Sequence, residues 1–372
     1  MKSSMISRQT FLLFYVCFLF TVTNSYAQTK ISTTTRSSSK FVSETNKQKL
    51  NIEFNGDISI GSDEKSISSI SRGGYLKIEK TTFGNSRSLF ISSSGSGLDY
   101  EYREGGSQKP FEPNGKAWLA EILPELLNST TIGSVDRVNR LYAKGGAKSV
   151  LNLTDQMESD YIKAHYFQLL LDKNLSASET SAVIDKTISQ IDSDHYQTEV
   201  FKQIDPSYFG DINQLTRAVE SIDSDHFKAE LLKPIFSKNS IQCQGQKTVE
   251  IINMVDSDHF KSEIAKTIDF SKLNDQELRF MVNEVVPNID SDHFKSEVLK
   301  YIIQTGNMND DRAILVVLGS DEIDSDHFKA EVLKYICQKQ GTEKVKTQIR
   351  KTAVDTIDSD HFLGEVLRCA SR

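Results

Sequence analysis

Residues 323–336 read Ile-Asp-Ser-Asp-His-Phe-Lys-Ala-Glu-Val-Leu-Lys-Tyr-Ile, and this stretch decides the fold because the chain contains several versions of it. The string Asp-Ser-Asp-His followed by an aromatic residue occurs six times, and its histidines are separated by steps of 31, 33, 34, 34 and 34 residues. A period in this range, with helical patterning inside it, is typical of a stacked helical solenoid. The motif histidines are His195, His226, His259, His293, His327 and His361.

Each copy of the motif predicts two helices. Asp324 and Ser325 favour a helix start, and Asp326 falls in the first turn, where an acid stabilises the positive end of the helix dipole. Apolar residues then recur at helical spacing on one face, namely Phe328, Val332, Leu333 and Ile336. Gly341 ends this helix, and residues 342–356 predict a second one. Neither helix can bury its apolar face alone, so the copies must stack.

A degenerate seventh copy precedes the other six. Its sequence at residues 157–161, Met-Glu-Ser-Asp-Tyr, has tyrosine in the position of the histidine, and Tyr161 lies 34 residues before His195. Such drift is typical of a repeat at the boundary of an array. We therefore predict an α-solenoid of HEAT-like, two-helix repeats of about 34 residues over residues 157–372.

The region before the solenoid has the period of β-strands. From residue 49 to residue 111 apolar and polar residues alternate, as in Leu-Asn-Ile-Glu-Phe at residues 50–54, and Asn55-Gly56 is a hairpin signal. This pattern predicts a small antiparallel β-meander with one wet face. Residues 112–156 return to helical spacing and predict junction helices. The predicted fold class is therefore α+β, a β-meander followed by an α-solenoid.

The N-terminal residues have the features of an export signal. Lys2 and Arg8 give a basic start, an apolar run follows at residues 11–22, and small residues suited to a signal peptidase come after it. Residues 1–27 predict a cleaved signal peptide, with an uncleaved N-terminal anchor as the alternative, and residues 28–48 predict a flexible Ser/Thr-rich lead. We expect an exported protein, periplasmic or secreted, with no integral membrane segment after signal cleavage.

Three cysteines remain after the signal peptide, and their odd number and spacing fit no metal or redox motif. They are Cys243, Cys337 and Cys369. Cys337 and Cys369 lie late in repeat helices, where a small apolar residue also packs. We expect them to be buried thiols, or to form one disulfide in an oxidising compartment.

The positions that the copies share are Ser325, Asp326, His327, Lys329, Val332 and Leu333 in the stretch quoted above. They resemble a group of bacterial extracytoplasmic proteins of unknown function, whose HEAT-like helical repeats are marked by Ser-Asp-His or Ser-Asp-Tyr, a basic residue and a Val-Leu pair. Residues 73–76, 110–111, 117–119 and 123–124 are similar to the β-region and junction of that group. The resemblance covers nearly the whole mature chain. It implies a fold and an export route, and it brings no activity.

The repeat also contains a constellation of metal-ligand residue types. An aspartate precedes each motif histidine by three residues and a glutamate follows it by four, so a continuous helix would place all three on one stripe. Such an Asp-x-x-His-x-x-x-Glu stripe suits zinc or manganese, and a pH-sensing histidine row is a further hypothesis. The candidate metal ligands are His195, His226, His259, His293, His327, His361, Glu297 and Glu331. We favour the structural alternative, in which aspartate and serine cap the helix and the histidines of successive copies form a ladder.

Copy number and charge bear on the function. A catalytic centre needs different residues in different roles, so six equivalent copies predict no enzyme and no catalytic residue. The formal net charge of −7 becomes about −9 (−7 − 2) without the signal peptide, and no basic stripe is present, so we expect no nucleic-acid partner. We predict a scaffold or adaptor that binds an unidentified protein partner through the solenoid surface. The alternative is a divalent-metal-binding or pH-responsive envelope protein.

Overall fold

The computed structural model describes residues 28–34, 38–44, 48–210, 212–237 and 245–372. The predicted signal peptide at residues 1–27 and Cys243 lie outside these ranges. The described residues form two compact units, one made of those up to Ile58 with Ser66–Glu121 and the other of Ser59–Lys65 with those from Ile122 to Arg372. The first unit contains a β-sheet and the second contains a helical array, which confirms the predicted α+β class.

The described strands are β1 (Gln28–Thr34), β2 (Ser38–Glu44), β3 (Gln48–Asn55), β4 (Ile58–Ile60), β5 (Ile67–Ile70), β6 (Tyr75–Thr82), β7 (Asn85–Ser94), β8 (Gly97–Glu104) and β9 (Ser107–Lys109). Seven of them form one antiparallel sheet in the order β1-β2-β3-β6-β7-β8-β9. Its extent differs from the prediction, because β1 and β2 come from residues 28–48, where the sequence predicts a flexible lead. β2 pairs with β3 and places Phe41 in the core, and β1 pairs with β2, so backbone pairing and a single buried side chain extend the sheet into this segment.

The sheet has one buried face and one solvent-exposed face. A row of directly paired residues crosses β2, β3, β6, β7 and β8 on the inner face, and all of them are buried: Phe41, Ile52, Ile78, Leu89 and Tyr102. The next row on the opposite face is exposed or half-exposed and mostly charged: Lys40, Glu53, Lys77, Phe90 and Glu101. This alternation confirms the predicted period of two.

The turns are only partly as predicted. Asn55-Gly56 does not close a hairpin between neighbours of the sheet, because β3 pairs with β6. The hairpin between β6 and β7 instead turns at Phe83 and Gly84, whose φ angles are 48° and 83°. A two-residue turn of this kind favours glycine or asparagine, so phenylalanine is strained there, and its side chain is 72% exposed.

The helices are α1 (Lys116–Ser129), α2 (Ser134–Thr154), α3 (Asp160–Leu171), α4 (Ala177–Gln190), α5 (Asp194–Phe201), α6 (Ile212–Glu220), α7 (Asp225–Ser237), α8 (Gln246–Asn253), α9 (Asp258–Ala265), α10 (Asp275–Phe280), α11 (Asp292–Thr305), α12 (Asp310–Gly319), α13 (Asp326–Lys339), α14 (Glu343–Thr356) and α15 (Asp360–Ala370). The odd-numbered helices from α3 to α15 begin with the motif and pack against one another in chain order. The even-numbered helices from α2 to α14 form a second layer, also in chain order. We call them first and second helices, and their two layers confirm the solenoid. No helix in the described ranges is long and apolar enough to cross a membrane.

The solenoid core follows the predicted apolar faces. Val332, Leu333 and Ile336 of α13 and Val345 and Ile349 of α14 are fully buried. Burying a side chain of this size contributes roughly 1.5–3 kcal/mol, and both layers supply such residues in each copy. The buried apolar residues of the array form two clusters, one from Val138 to Val200 and one from Ile184 to Ala370.

A disulfide joins two successive first helices. Cys337 of α13 and Cys369 of α15 are bonded, and their Cα atoms are 6.4 Å apart. Of the two predicted states of these cysteines, the structure therefore contains the disulfide. The bond fixes the last helix of the array to its neighbour.

Candidate functional site

The motif begins each first helix in a way that differs from the predicted cap. Ser325 is the residue just before α13, but its side chain makes no capping hydrogen bond, and its ψ of 116° is extended. The equivalent serines before α3, α5, α9, α11 and α15 behave in the same way. Asp324 therefore precedes the helix, and the helical angle that would place it on a stripe with His327 does not apply. The prediction of side-chain capping by aspartate and serine is wrong.

The cap is supplied by the preceding repeat. The Asp292 carboxylate accepts hydrogen bonds from the backbone N–H groups of Asp324 at 3.1 Å and Ser325 at 2.7 Å. The same aspartate, directly before the motif histidine, binds the next copy throughout the array: Asp160, Asp194, Asp225, Asp258 and Asp326. Each repeat thus holds the start of the helix that follows it.

The motif histidines form a ladder, but it differs from the expected row of histidines because the aromatic residue of the next copy lies between successive histidines. The His327 ring lies 5.0 Å from the Phe328 ring and 5.5 Å from the Phe362 ring of the next copy, measured between centroids. Rings alternate in this way from Tyr161, which takes the histidine position in the degenerate copy and packs 5.9 Å from Tyr196, to Phe362. We call this series the ring ladder. It explains why tyrosine can replace histidine, because either ring fills the space between two neighbours.

The glutamate four residues after each histidine connects adjacent repeats. Glu331 Oε1 is 3.6 Å from His327 Nε2, and Glu331 Oε2 is 3.1 Å from Nζ of Lys300 in the preceding copy. One lysine of the preceding copy likewise donates a hydrogen bond to each of Glu230, Glu263, Glu297 and Glu365. The hydrogen bond from Lys300 is the largest of the effects that lower the pKa of the Glu331 carboxyl below its ordinary value.

A further lysine lies inside the repeat, and its role was not visible in the sequence. Lys329 is 5% exposed, and its Nζ donates to the backbone carbonyl of Thr356 at the end of α14, 3.0 Å away. Lys295 donates to the Glu322 carbonyl at 2.6 Å in the same way. Each of these lysines satisfies a carbonyl at the end of the second helix of its own copy, as for Thr356, or in the short turn of helix that follows it, as for Glu322. Only the packing of the two helices reveals that the amine reaches a carbonyl 27 residues later.

In the structure, the candidate metal ligands of different copies do not come together in one group among the described residues. Each of His226, His259, His293, His327 and His361 faces the glutamate of its own helix at 3.4–3.7 Å. Glu297 and Glu331 also hold a lysine of the preceding copy. His195 contributes to the ring ladder through Tyr196 and Phe227. Within the part of the chain that the structure describes, no group of three or more His, Cys, Asp or Glu side chains could hold a metal ion.

His165, the histidine outside the motif, occupies the glutamate position of the degenerate copy. Its Nε2 lies 2.8 Å from Oγ of Ser134 at the start of α2, and burial lowers its pKa. Ser134 is buried and 31 residues earlier in the chain, so no local pattern could have paired the two residues.

The site is thus a set of contacts between copies, in which the second aspartate, the ring, the glutamate and the lysines each join two helices. Comparison of the chain with protein-family models, with curated proteins and with solved structures gives no match.

Proposed function

We propose that the chain is an exported, non-catalytic scaffold or adaptor that binds a protein partner through the surface of its solenoid. The observation that carries the proposal is the bonding of each repeat to the next, as in the contact of Asp292 with Ser325. Repeats joined in this way present one continuous and ordered surface, which is how solenoid proteins bind their partners.

The exposed residues of the second helices support this proposal because they differ from copy to copy. The corresponding outer surfaces contain Asp185 on α4, Arg217 on α6, Glu250 on α8, Arg279 on α10, Leu318 on α12 and Lys351 on α14, and all are exposed. A surface that varies in this way along a regular backbone can encode specificity for one partner. Leu318 and Val354, on neighbouring second helices, are 46% and 61% exposed and add apolar area to this surface.

Two further observations agree with the exported and non-catalytic parts of the proposal. A disulfide such as Cys337–Cys369 persists in an oxidising compartment, which favours export. The motif residues have the same roles in successive copies, whereas catalysis needs distinct groups around one reacting centre.

Crosslinked affinity capture of residues 28–372 from the envelope of the cells that make the protein, followed by mass spectrometry, tests this function. Two solenoid variants are compared with the wild type: a first-helix variant with Asp256→Asn, Asp290→Asn and Asp324→Asn, and a second-helix variant with Leu318→Ser, Lys351→Ser and Val354→Ser. Phe83→Ser on the sheet unit is the control for loss of an exposed apolar side chain. We expect a partner that is lost with a solenoid variant and kept by Phe83→Ser. A partner lost only with Phe83→Ser contradicts the proposal.

A further inference from the structure

A phenylalanine stands at the tip of the hairpin between β6 and β7, where the backbone disfavours it. Phe83 has a φ of 48°, and bulky residues avoid positive φ values. Its side chain is 72% exposed, more than any other large apolar side chain in the described ranges. A Cβ atom built on the neighbouring Gly84 would meet no heavy atom within 4 Å, so the tip projects into open space. The chain thus presents an apolar ring in a strained turn, and such strain is typical of functional positions.

The same chain contains an unfilled space that could hold such a ring. A cavity of about 430 Å³ opens between α2 and α4, and its apolar lining includes Ala147, Leu151 and Ala182. Helix α2 is interrupted at Gly145 and Gly146 beside it, and side chains as small as Ala147 and Ala182 leave the space unfilled. A cavity of about 150 Å³ can hold a benzene ring, so there is room for a phenyl ring here. We call this space the α2–α4 cavity.

The polar groups around the α2–α4 cavity allow an apolar side chain to enter. Three of its four charged lining residues are held by other side chains of the array: Glu179 by Ser176, Asp185 by Arg217 and Lys186 by Asp155. The fourth, Lys148, is exposed and can keep its amine in water. A ring that enters the cavity therefore leaves no unpaired charge buried.

The borders of the two surfaces are alike. Thr82 and Asn85 flank Phe83 in the hairpin, and the cavity is bordered by Asn152 and Ser178, all of them uncharged and polar. An apolar centre with a polar rim is the usual anatomy of a protein interface. A lipid surface fits the tip less well, because a formal net charge of −7 opposes an anionic bilayer.

We propose that Phe83 of one molecule inserts into the α2–α4 cavity of a second copy of the chain. The tip and the cavity are different parts of the chain, so the contact is heterologous, and a pair of molecules keeps one free tip and one free cavity. Such a contact continues head to tail and brings several solenoid surfaces into one assembly. This inference goes beyond the proposed scaffold function and does not depend on it.

Sedimentation velocity of residues 28–372 between about 5 and 500 µM tests the proposal, because a contact smaller than a standard interface binds weakly. Phe83→Asn removes the ring and suits the positive φ of the turn, and Ala182→Phe fills the cavity. Val354→Ser is the control, since it removes another exposed apolar side chain. We expect the wild type and the control to associate more as the concentration rises, and the other two variants to associate at least about tenfold more weakly.

A mixture of the two variants tests the heterologous geometry. The Phe83→Asn chain keeps an open cavity and the Ala182→Phe chain keeps its Phe83, so we expect the mixture to form pairs that grow no further. If Ala182→Phe does not fold, Ser178→Phe fills the same cavity from an exposed position. Thermal unfolding at the lowest concentration should show that Phe83→Asn melts no lower than the wild type, because asparagine relieves the strain of the turn.

Four results would overturn the proposal: a wild type that stays monomeric over the whole range, association that either variant retains, a mixture that forms no pairs, or a lower melting temperature for Phe83→Asn. The last of these would show that the ring is kept for the stability of the hairpin.

Discussion

Oδ2 of Asp292 lies 2.7 Å from the backbone nitrogen of Ser325, 33 residues later, and this contact fixes the start of one repeat to the helix of the repeat before it. The carboxylate takes the place of the side-chain cap that the serine does not provide. Stability in this array should therefore depend on the second aspartate of the motif rather than on the serine.

We expect Asp292→Ala to lower the free energy of unfolding by about 2 kcal/mol, because two backbone N–H groups lose a charged acceptor. Ser325→Ala is the matched control and should change it by less than about 0.5 kcal/mol, as for an ordinary surface change. Urea unfolding followed by circular dichroism measures both. A serine variant as unstable as the aspartate variant would show that the serine is the cap.

The ring ladder predicts that the shape of the ring matters more than its chemistry. His327→Ala removes two ring contacts and should cost about 1 kcal/mol, whereas His327→Tyr should be close to neutral, because Tyr161 occupies this position in the degenerate copy. The two melting temperatures, compared at one pH, check this. A tyrosine variant as unstable as the alanine variant would mean that the imidazole itself is required.

The glutamates of the motif predict an acid-sensitive stability. Lysines of the preceding copy hold the pKa of Glu263, Glu297 and Glu331 below the ordinary value of 4.5. A group with a depressed pKa stabilises the fold above that value, and its contribution is lost as the pH falls below 4.5 and through the folded-state pKa. We expect the melting temperature to fall in this window. The double variant Glu297→Gln and Glu331→Gln should show a smaller decrease in melting temperature over this pH window than the wild type does. The control variant Glu220→Gln and Glu250→Gln should show the same decrease as the wild type.

Reduction of the Cys337–Cys369 disulfide should destabilise the end of the array. The cysteines are 32 residues apart, and closing a loop of this size contributes about 3–4 kcal/mol in the chain-entropy model. We expect Cys369→Ser to increase amide hydrogen exchange in α15 more than in the distant helix α5, because each repeat contacts only its neighbours. Cys243→Ser, which removes a cysteine outside this bond, is the control. Unchanged exchange in α15 would show that its packing alone holds it.

The distribution of the histidines gives an expectation for metal binding. Each motif histidine faces one glutamate of its own helix, as His293 does Glu297 at 3.6 Å, and no third ligand joins them in the described ranges. We expect calorimetric titration with zinc or manganese to give no stoichiometric high-affinity binding. Tight binding that His293→Tyr and His327→Tyr abolish would instead favour the metal hypothesis.

The architecture was largely accessible from the sequence. The period of 31–34 residues and the apolar faces of residues such as Val332 and Ile349 require stacked helix pairs, because no single pair can bury its own face. The alternation around Ile52 likewise required a half-buried sheet. The strands in the lead were missed, because β1 pairs through its backbone and carries no apolar period.

The sequence by itself determined that the chain repeats, that each repeat is a helix pair, and which residues face the core, because periodicity is a local property of the chain. Only the tertiary structure decided what the motif residues do. Asp292 reaches Ser325, Lys300 reaches Glu331, and His165 reaches Ser134, each about one repeat away in sequence. Such partners are set by the stacking of whole repeats, so no pattern within one copy can identify them.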